Sequence, residues 1–134
     1  MGAEAKALKQ IRLQEEQYDA TKEIAEGWVA NGRAQSCSSN WRHPSFPIKK
    51  KNGTWRGVID LKWFNSHCEE DAYPLPRIED LLVQQAKASC FTVMDLEDAF
   101  HQMPMHPDSR RYTGTDSPIG MLQWRVLQWD GRMV

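Results

Sequence analysis

The sequence predicts an α+β domain, and three observations lead to that prediction. The chain begins with a stretch of strong helix formers, roughly Ala3 to Asn31. An Asn52-Gly53 pair then separates two strand-like runs, which is typical of a β-hairpin. Further helical and apolar segments follow separately along the chain. Antiparallel hairpins together with separate helices are typical of the α+β class.

Composition fits one compact globular unit. The chain has 134 residues, 40% of them hydrophobic and 26% charged, values close to globular averages. No apolar run approaches the ~20 residues that cross a bilayer, and Met1 to Gln10 lacks the apolar centre of a secretory signal. Its three cysteines are an odd number without metal-ligand spacing. We therefore expect a soluble, intracellular protein without a membrane span, in a compartment that the sequence does not specify.

Charge is concentrated in one segment of the chain. The formal net charge is only −1, which does not by itself indicate a polyanionic partner. Between Arg42 and Lys62, however, six cationic side chains stand against Asp60 alone. A segment with this net charge of +5 can face phosphate groups.

The N-terminal segment, residues 1–33, is predicted to be an amphipathic helix that precedes the main domain at 34–134. Asn31-Gly32 is a plausible end of the helix, since both residues tolerate the left-handed conformation. Its sparse apolar stripe consists of Leu8, Ile11, Tyr18, Ala25, Trp28 and Val29. Residues 34–40, which include three serines, are predicted to form a loop.

The hairpin is the clearest local prediction. The runs Phe46 to Lys51 and Thr54 to Leu61 flank Asn52-Gly53, which predicts a two-residue turn with positive φ at both central positions. Its cationic side chains include Lys50 and Arg56. They could clamp phosphates, or they could protect an exposed edge strand against aggregation. Residue types alone leave both readings open.

Several elements are predicted beyond the hairpin. Arg77 to Ala86 reads as a second helix after a proline-containing connector. Cys90 to Met94 reads as a buried strand that ends at Asp95. A helical turn is predicted over 96–101, and two further strands are predicted over 110–116 and 121–127.

Two carboxylates, Asp95 and Asp98, follow the predicted buried strand with a spacing of three. Carboxylates in such a place can hold a divalent cation. Glu97 and Asp98 could equally cap the short helix that follows. The spacing does not decide between these alternatives.

The order of motifs along the chain resembles the reverse transcriptases of gypsy-type retrotransposons and retroviruses. The resemblance rests on Asn40 to Asp60, on Trp63-Phe-Asn65, on Tyr73 to Leu82, and on Phe91 to Gln102 with the segments after it. It covers roughly residues 22–127. By this resemblance the chain contains the fingers and the first part of the palm of such an enzyme.

The resemblance also implies roles for individual residues. Asp95 corresponds to the first metal-binding aspartate, and Asp95 with the backbone of Leu96 would hold Mg²⁺ for phosphoryl transfer. The nucleotide-binding residues implied are Lys50, Arg56, Leu96, Asp98 and Phe100, with Phe100 lying under the deoxynucleotide sugar. The implied partners are a nucleic-acid template-primer and a deoxynucleoside triphosphate.

The chain departs from the family pattern after Arg125-Val-Leu127. The family continues to a Tyr-x-Asp-Asp turn with the remaining catalytic aspartates, whereas this sequence reads Gln128 to Val134 and contains no such turn. We therefore expect a truncated domain that is inactive alone, because lost carboxylates cost a phosphoryl-transfer enzyme several kcal/mol each. Apolar faces expected to be uncovered belong to Phe91, Val93, Trp124 and Val126.

Two other functions remain open on the sequence. A protein partner could cover these apolar faces, and the chain would then be a retroelement-derived, non-enzymatic subunit of a larger complex. Alternatively, the basic hairpin could bind nucleic acid without sequence preference and without catalysis.

Overall fold

The α+β prediction is confirmed by the computed structural model, which describes residues 7–9, 11–69 and 72–128. In those residues the helices are α1 Glu15–Ala30, α2 Lys62–Ser66 and α3 Ile78–Gln85. The strands are β1 Ala34–Ser36, β2 Ser45–Lys49, β3 Trp55–Ile59, β4 Thr115–Ser117 and β5 Gly120–Trp124. Two 3₁₀ helices span Ala99–Gln102 and Pro107–Thr113.

The strands form two antiparallel sheets. One has three strands in the order β1-β5-β4, and the other is the hairpin β2-β3. In the hairpin, Pro47 lies opposite Gly57. Pro47 lacks an N–H, and a two-stranded ribbon tolerates that because each strand has an edge without a ladder. An isolated parallel bridge joins His43, which precedes β2, to Thr115, the first residue of β4.

The hairpin is confirmed, but the predicted two-residue turn is wrong. Lys50 N donates to Thr54 O across 2.7 Å, which leaves three residues in the loop. Gly53 N donates back to Lys50 O, and Gly53 has φ 83°. This is a type I turn followed by a left-handed glycine, the usual three-residue solution. Asn52 does not have positive φ; its side-chain Oδ1 accepts a hydrogen bond from Thr54 N.

The N-terminal helix is shorter than predicted. It begins at Glu15, whereas the described residues 7–9 and 11–14 are not helical; positions 3–6 and 10 of the predicted helix lie outside the described residues. Leu8 N donates to Arg42 O across 3.0 Å, so tertiary pairing outweighs helix propensity there. The backbone N–H of Gln14 donates to Gln17 Oε1, which favours a helix start at this point.

Two other segments differ from their predictions. Residues 34–40 were expected to be a loop, but Ala34 to Ser36 pairs with β5. Residues 110–116 were expected to be a strand, but most of them belong to the 3₁₀ helix that begins at Pro107. Proline fixes φ at a helical value, and His106 Nδ1 accepts from Asp108 N, which favours a helical start. The last predicted strand is confirmed in shorter form as β5.

The predicted strand Cys90 to Met94 is wrong, whereas the second predicted helix is confirmed as α3. Within the described residues no strand lies beside 90–94 to satisfy its backbone, and a strand requires such a neighbour. The segment is also exposed: Val93 is 93% accessible and Met94 87%. Every residue from 72 to 97 is exposed, including all of α3.

The core lies between α1, the three-stranded sheet and α2. It contains Ala25, Ala34, Ile59, Leu61, Phe64, Cys68, Leu122 and Trp124. Trp124 is fully buried, which corrects the expectation that its apolar face is uncovered. Its ring meets Trp28 edge-on with centroids 4.8 Å apart. Phe91 and Val93 are exposed as expected, and Val126 is partly buried against the core.

Helix α1 lies very close to the hairpin at Gly57. A Cβ there would lie 2.5 Å from Trp28 Cζ2 and 2.7 Å from Ile24 Cγ2. The absence of a side chain therefore allows the helix to pack directly on β3. None of the helices in the described part of the chain is long and apolar enough to cross a membrane.

Candidate functional site

A cleft of about 520 Å³ lies where α1, the hairpin and the first 3₁₀ helix meet. Its lining includes Trp28, Arg33, Lys50, Trp55, Arg56, Asp98 and His101. The hairpin supplies Lys50 at its loop and Arg56 on β3. Asp98 comes from a segment 42 positions further along the chain. The cleft therefore gathers residues that are distant in sequence.

Positive charge predominates in the cleft. Arg33, Lys50 and Arg56 stand against the single carboxylate of Asp98 among the lining residues. Lys50 and Arg56 are exposed, so both remain accessible to a ligand. The neighbouring Lys49 is engaged elsewhere, because its Nζ lies 3.4 Å from Glu16 Oε1 and 5.1 Å from the Trp55 ring centroid. Three cations around a concave surface attract phosphate groups.

Asp98 holds a special backbone conformation. Its φ of 51° is left-handed, and it is the only non-glycine with positive φ among the described residues. It occupies the N-cap position of the 3₁₀ helix, but its side chain makes no capping bond. For Asp98 the side-chain capping alternative is therefore wrong. Instead, Asp98 Oδ2 accepts a hydrogen bond from Arg33 Nη2 in an ion pair.

His101 lies on the other side of this carboxylate. Its Nδ1 is 3.8 Å from Asp98 Oδ1. Burial lowers the pKa of His101 below its usual value, and the charge of Arg33 lowers it further, while Asp98 raises it. The lowered pKa favours the neutral imidazole. The charge of the cleft is then set by Arg33, Lys50 and Arg56 against Asp98.

Three of the six residues that the sequence singled out line the cleft, and three do not. Lys50, Arg56 and Asp98 line it together. Asp95, Leu96 and Phe100 lie outside its lining. Asp95 is exposed and Leu96 is 69% accessible, in the same exposed segment as Met94.

The donor set for Mg²⁺ is incomplete in the described residues. Only Asp95 and the Leu96 carbonyl were predicted as ligands, and no group of three or more acidic, histidine or cysteine side chains gathers anywhere in the described ranges. Asp98, the carboxylate that lines the cleft three positions after Asp95, is paired with Arg33. Mg²⁺ requires several oxygen ligands in near-octahedral geometry. These residues alone do not fit a magnesium ion.

Arg33, His101 and Trp28 are cleft residues that the sequence did not identify as site residues. Arg33 follows a helix-ending Asn31-Gly32, where a cation reads as an ordinary exposed residue. Its partner Asp98 is 65 positions away, and no local pattern connects the two. Trp28 was read only as part of the helix stripe, although it also lines the cleft.

Comparison with known proteins identifies the family. Residues 48–132 match the family described as reverse transcriptase (RNA-dependent DNA polymerase). The matched range begins in the hairpin and includes Asp95 and Asp98. The chain belongs to the reverse transcriptase family.

Similar proteins include viral and transposon polyproteins. The Pol polyprotein of equine infectious anemia virus is 31% identical over 83% of the chain. A retrovirus-related Pol polyprotein from transposon 412 of Drosophila melanogaster is 33% identical over 66% of the chain. A putative enzymatic polyprotein of cassava vein mosaic virus is 29% identical over 78% of the chain. The matches span 10%, 8% and 16% of the lengths of these three relatives, respectively.

Proposed function

We propose that the chain contributes the nucleotide-binding fingers and the first catalytic aspartate to RNA-directed DNA synthesis. Its substrates are a deoxynucleoside triphosphate and a nucleic-acid template-primer. The single observation that carries the proposal is the convergence of Lys50, Arg56 and Asp98 on one basic cleft. These are three of the residues that family resemblance assigns to the triphosphate, and Asp98 comes from a segment outside the hairpin that supplies the other two.

The proposed chemistry needs carboxylates that these 134 residues do not contain. Asp95 is the proposed first metal ligand, with the Leu96 carbonyl beside it, and Phe100 is the proposed sugar-contacting ring. The sequence has no Tyr-x-Asp-Asp turn. We therefore propose that the chain alone neither holds Mg²⁺ at Asp95 nor synthesises DNA. A second polypeptide segment with the remaining carboxylates completes the site.

A chimera tests this proposal. Residues 1–128 are joined to the segment that follows the matched region in the transposon 412 relative. The measurement is Mg²⁺-dependent incorporation of dTTP on poly(rA)·oligo(dT). We expect incorporation by the chimera and none by the 134-residue chain. In the chimera, Asp95→Asn should reduce the rate by at least about a hundredfold, because it removes a metal-binding charge from the transition state.

The matched control is Asp80→Asn, which removes an exposed carboxylate on α3. It should leave incorporation unchanged. If the chimera with Asp95→Asn polymerises as fast as the unsubstituted chimera, the role of Asp95 is wrong. Incorporation by the 134-residue chain itself would show that the proposed need for further carboxylates is wrong.

A second candidate function is supported by the exposed apolar segment. Leu75 is 83% exposed, Ile78 71%, and Val93 and Met94 more still. Large apolar side chains left exposed along one segment are a feature of protein interfaces. We propose, as the alternative, that this surface docks on a protein partner and that the chain is a retroelement-derived structural subunit without catalysis.

The native mass of the chain from its own source separates the two functions. A defined hetero-complex much heavier than 15.5 kDa, with no polymerase segment among its members, supports the structural subunit. A complex that contains a polypeptide with the missing carboxylates supports the enzymatic function. A monomer would count against the structural subunit.

A further inference from the structure

We propose that Arg33 is a phosphate-binding residue of the cleft and that Asp98 is the counter-ion which it exchanges for a triphosphate. The inference rests on the proposed function, because it concerns the same cleft. Nothing in the resemblance or in the family match assigns a role to Arg33, which precedes the matched residues 48–132. The ligand class is the triphosphate group of a nucleoside triphosphate.

Arg33 is positioned to reach a ligand in the cleft. Its side chain lines the cleft together with Lys50 and Arg56, and it remains 30% exposed. A guanidinium group offers a planar set of donors that matches phosphate oxygens in a bidentate manner. The backbone of Arg33 is anchored, since Arg125 N donates to Arg33 O across 2.8 Å. The side chain is therefore held at the cleft from a fixed point.

Asp98 forms an ion pair with Arg33 that a ligand can reach. Its carboxylate accepts from Arg33 Nη2 and is 41% exposed, so the pair lies at the surface of the cleft and not in the core. A partly exposed ion pair contributes little to stability, because water screens the attraction between its charges. A triphosphate with several negative charges can therefore displace one carboxylate at little cost.

Electrostatics then predict opposite effects for the two partners. Without a metal, the Asp98 carboxylate repels a triphosphate and also occupies Arg33. Its neutralisation should strengthen phosphate binding, whereas loss of Arg33 should weaken it. A purely structural role of the pair predicts that both substitutions weaken binding, because both would loosen the same cleft wall. The sign at Asp98 thus distinguishes the two roles.

The experiment is calorimetric titration of the full chain with inorganic tripolyphosphate in EDTA at low salt. Arg33→Met should weaken binding about tenfold, the loss expected for one charge-assisted bidentate contact. Arg33→Lys should weaken it only about threefold, because it keeps the charge and loses the fork. Asp98→Asn should tighten binding about threefold. The nearby Arg125→Met is the matched control; Arg125 is exposed and outside the cleft lining, and its loss should leave affinity unchanged.

The outcomes separate this inference from the proposed function. Lys50→Met tests the cleft itself and should weaken binding whichever role Arg33 has. If Lys50→Met weakens binding and Arg33→Met does not, the role of Arg33 is overturned and the cleft stands. Weaker binding by Asp98→Asn overturns the exchange. Absence of tripolyphosphate binding by the unsubstituted chain overturns both the inference and the proposed triphosphate cleft.

Discussion

The indole nitrogen of Trp124 donates to Thr115 Oγ1 across 3.1 Å, between two adjacent strands and with both residues fully buried. Thr115 Oγ1 donates in turn to Thr113 O, and Thr113 Oγ1 accepts from Trp124 N. The two threonines thus satisfy the polar atoms around the largest side chain of the core. The sheet that backs the cleft-forming α1 depends on this arrangement.

Replacement of Trp124 should strongly destabilise the fold. Trp124→Ala should cost about 3–5 kcal/mol in free energy of unfolding, as expected for a large buried aromatic side chain. Urea denaturation followed by circular dichroism measures the loss. Trp55→Ala is the control, because Trp55 is only partly buried on the hairpin, and it should cost clearly less. Equal costs would contradict the assignment of Trp124 to the centre of the core.

Gly57 and Gly27 should respond to alanine with opposite signs. Gly57→Ala introduces a Cβ 2.5 Å from Trp28 Cζ2 and should destabilise the chain by about 1–3 kcal/mol, the usual cost of overpacking. Gly27 lies inside α1 with open space around its Cβ position. Gly27→Ala should stabilise by up to about 1 kcal/mol through helix propensity. Thermal denaturation of both variants gives the comparison, and stabilisation by Gly57→Ala would contradict the close packing of α1 on β3.

Stability should fall as the pH is lowered below 6.5. His43 is fully buried, and burial lowers its pKa from the usual 6.5, although the hydrogen bond from Nε2 to Tyr112 O partly opposes this. As the pH falls, His43 therefore binds a proton more readily in the unfolded chain than in the folded chain. The stabilisation is complete above the unfolded pKa and declines as the pH falls below it.

Urea titrations between pH 7.5 and 5.5 measure this slope. His43→Asn should make the pH dependence shallower, whatever its effect on absolute stability. His101, whose pKa is also lowered, contributes in the same direction, so His101→Gln should make it shallower too. An unchanged slope in both variants would show that other groups govern the acid response.

Trypsin should cut first in the exposed region between the two halves of the core. All residues from 72 to 97 are exposed, and Lys87 lies in the turn that follows α3. Mass spectrometry should identify cleavage after Lys87, and Lys87→Gln should slow it. The two fragments should stay associated, because Leu61 and Phe64 share the core with Leu122 and Trp124. If trypsin cut first in the hairpin, the expectation that residues 72–97 are the most accessible to the protease would be wrong.

Binding to nucleic acid should depend steeply on salt through the hairpin. Lys50, Lys51 and Arg56 are exposed cations close together. Removal of Lys51 by substitution to Met should lower the magnitude of the log–log salt slope by about one if it contacts a phosphate. Lys22→Met removes an exposed cation from α1 and serves as the control. Fluorescence anisotropy of a labelled template-primer gives both slopes, and salt-insensitive binding would exclude phosphate contacts by the hairpin.

The sequence predicts the fold well where the signals are local. Asn52-Gly53 identified the hairpin, and the apolar spacing after Pro76 identified α3, because turn and helix preferences act over a few residues. Prediction failed where distant contacts decide. Ala34 to Ser36 is a strand because β5 lies beside it. Cys90 to Met94 is not a strand because no strand among the described residues lies beside it.

The candidate site shows the same limit. Family motifs named Lys50, Arg56 and Asp98, since each lies within a recognisable segment. They did not name Arg33, because its contribution arises from a contact across 65 positions. The motif spacing around Asp95 also suggested a metal site, whereas a metal site depends on ligands that converge in space. The division of the chain at residues 33 and 34 stays a prediction.

The central claim is that the cleft between α1, the hairpin and Asp98 binds a nucleoside triphosphate. Photolabelling of the full chain with 8-azido-dATP, followed by peptide mapping, tests it most directly. We expect label on cleft peptides that contain Trp28, Trp55 or Asp98, competition by excess dTTP, and loss of label when both Lys50 and Arg56 are replaced by Met. Label confined to the exposed residues 72–94, or undiminished in the double variant, would contradict it.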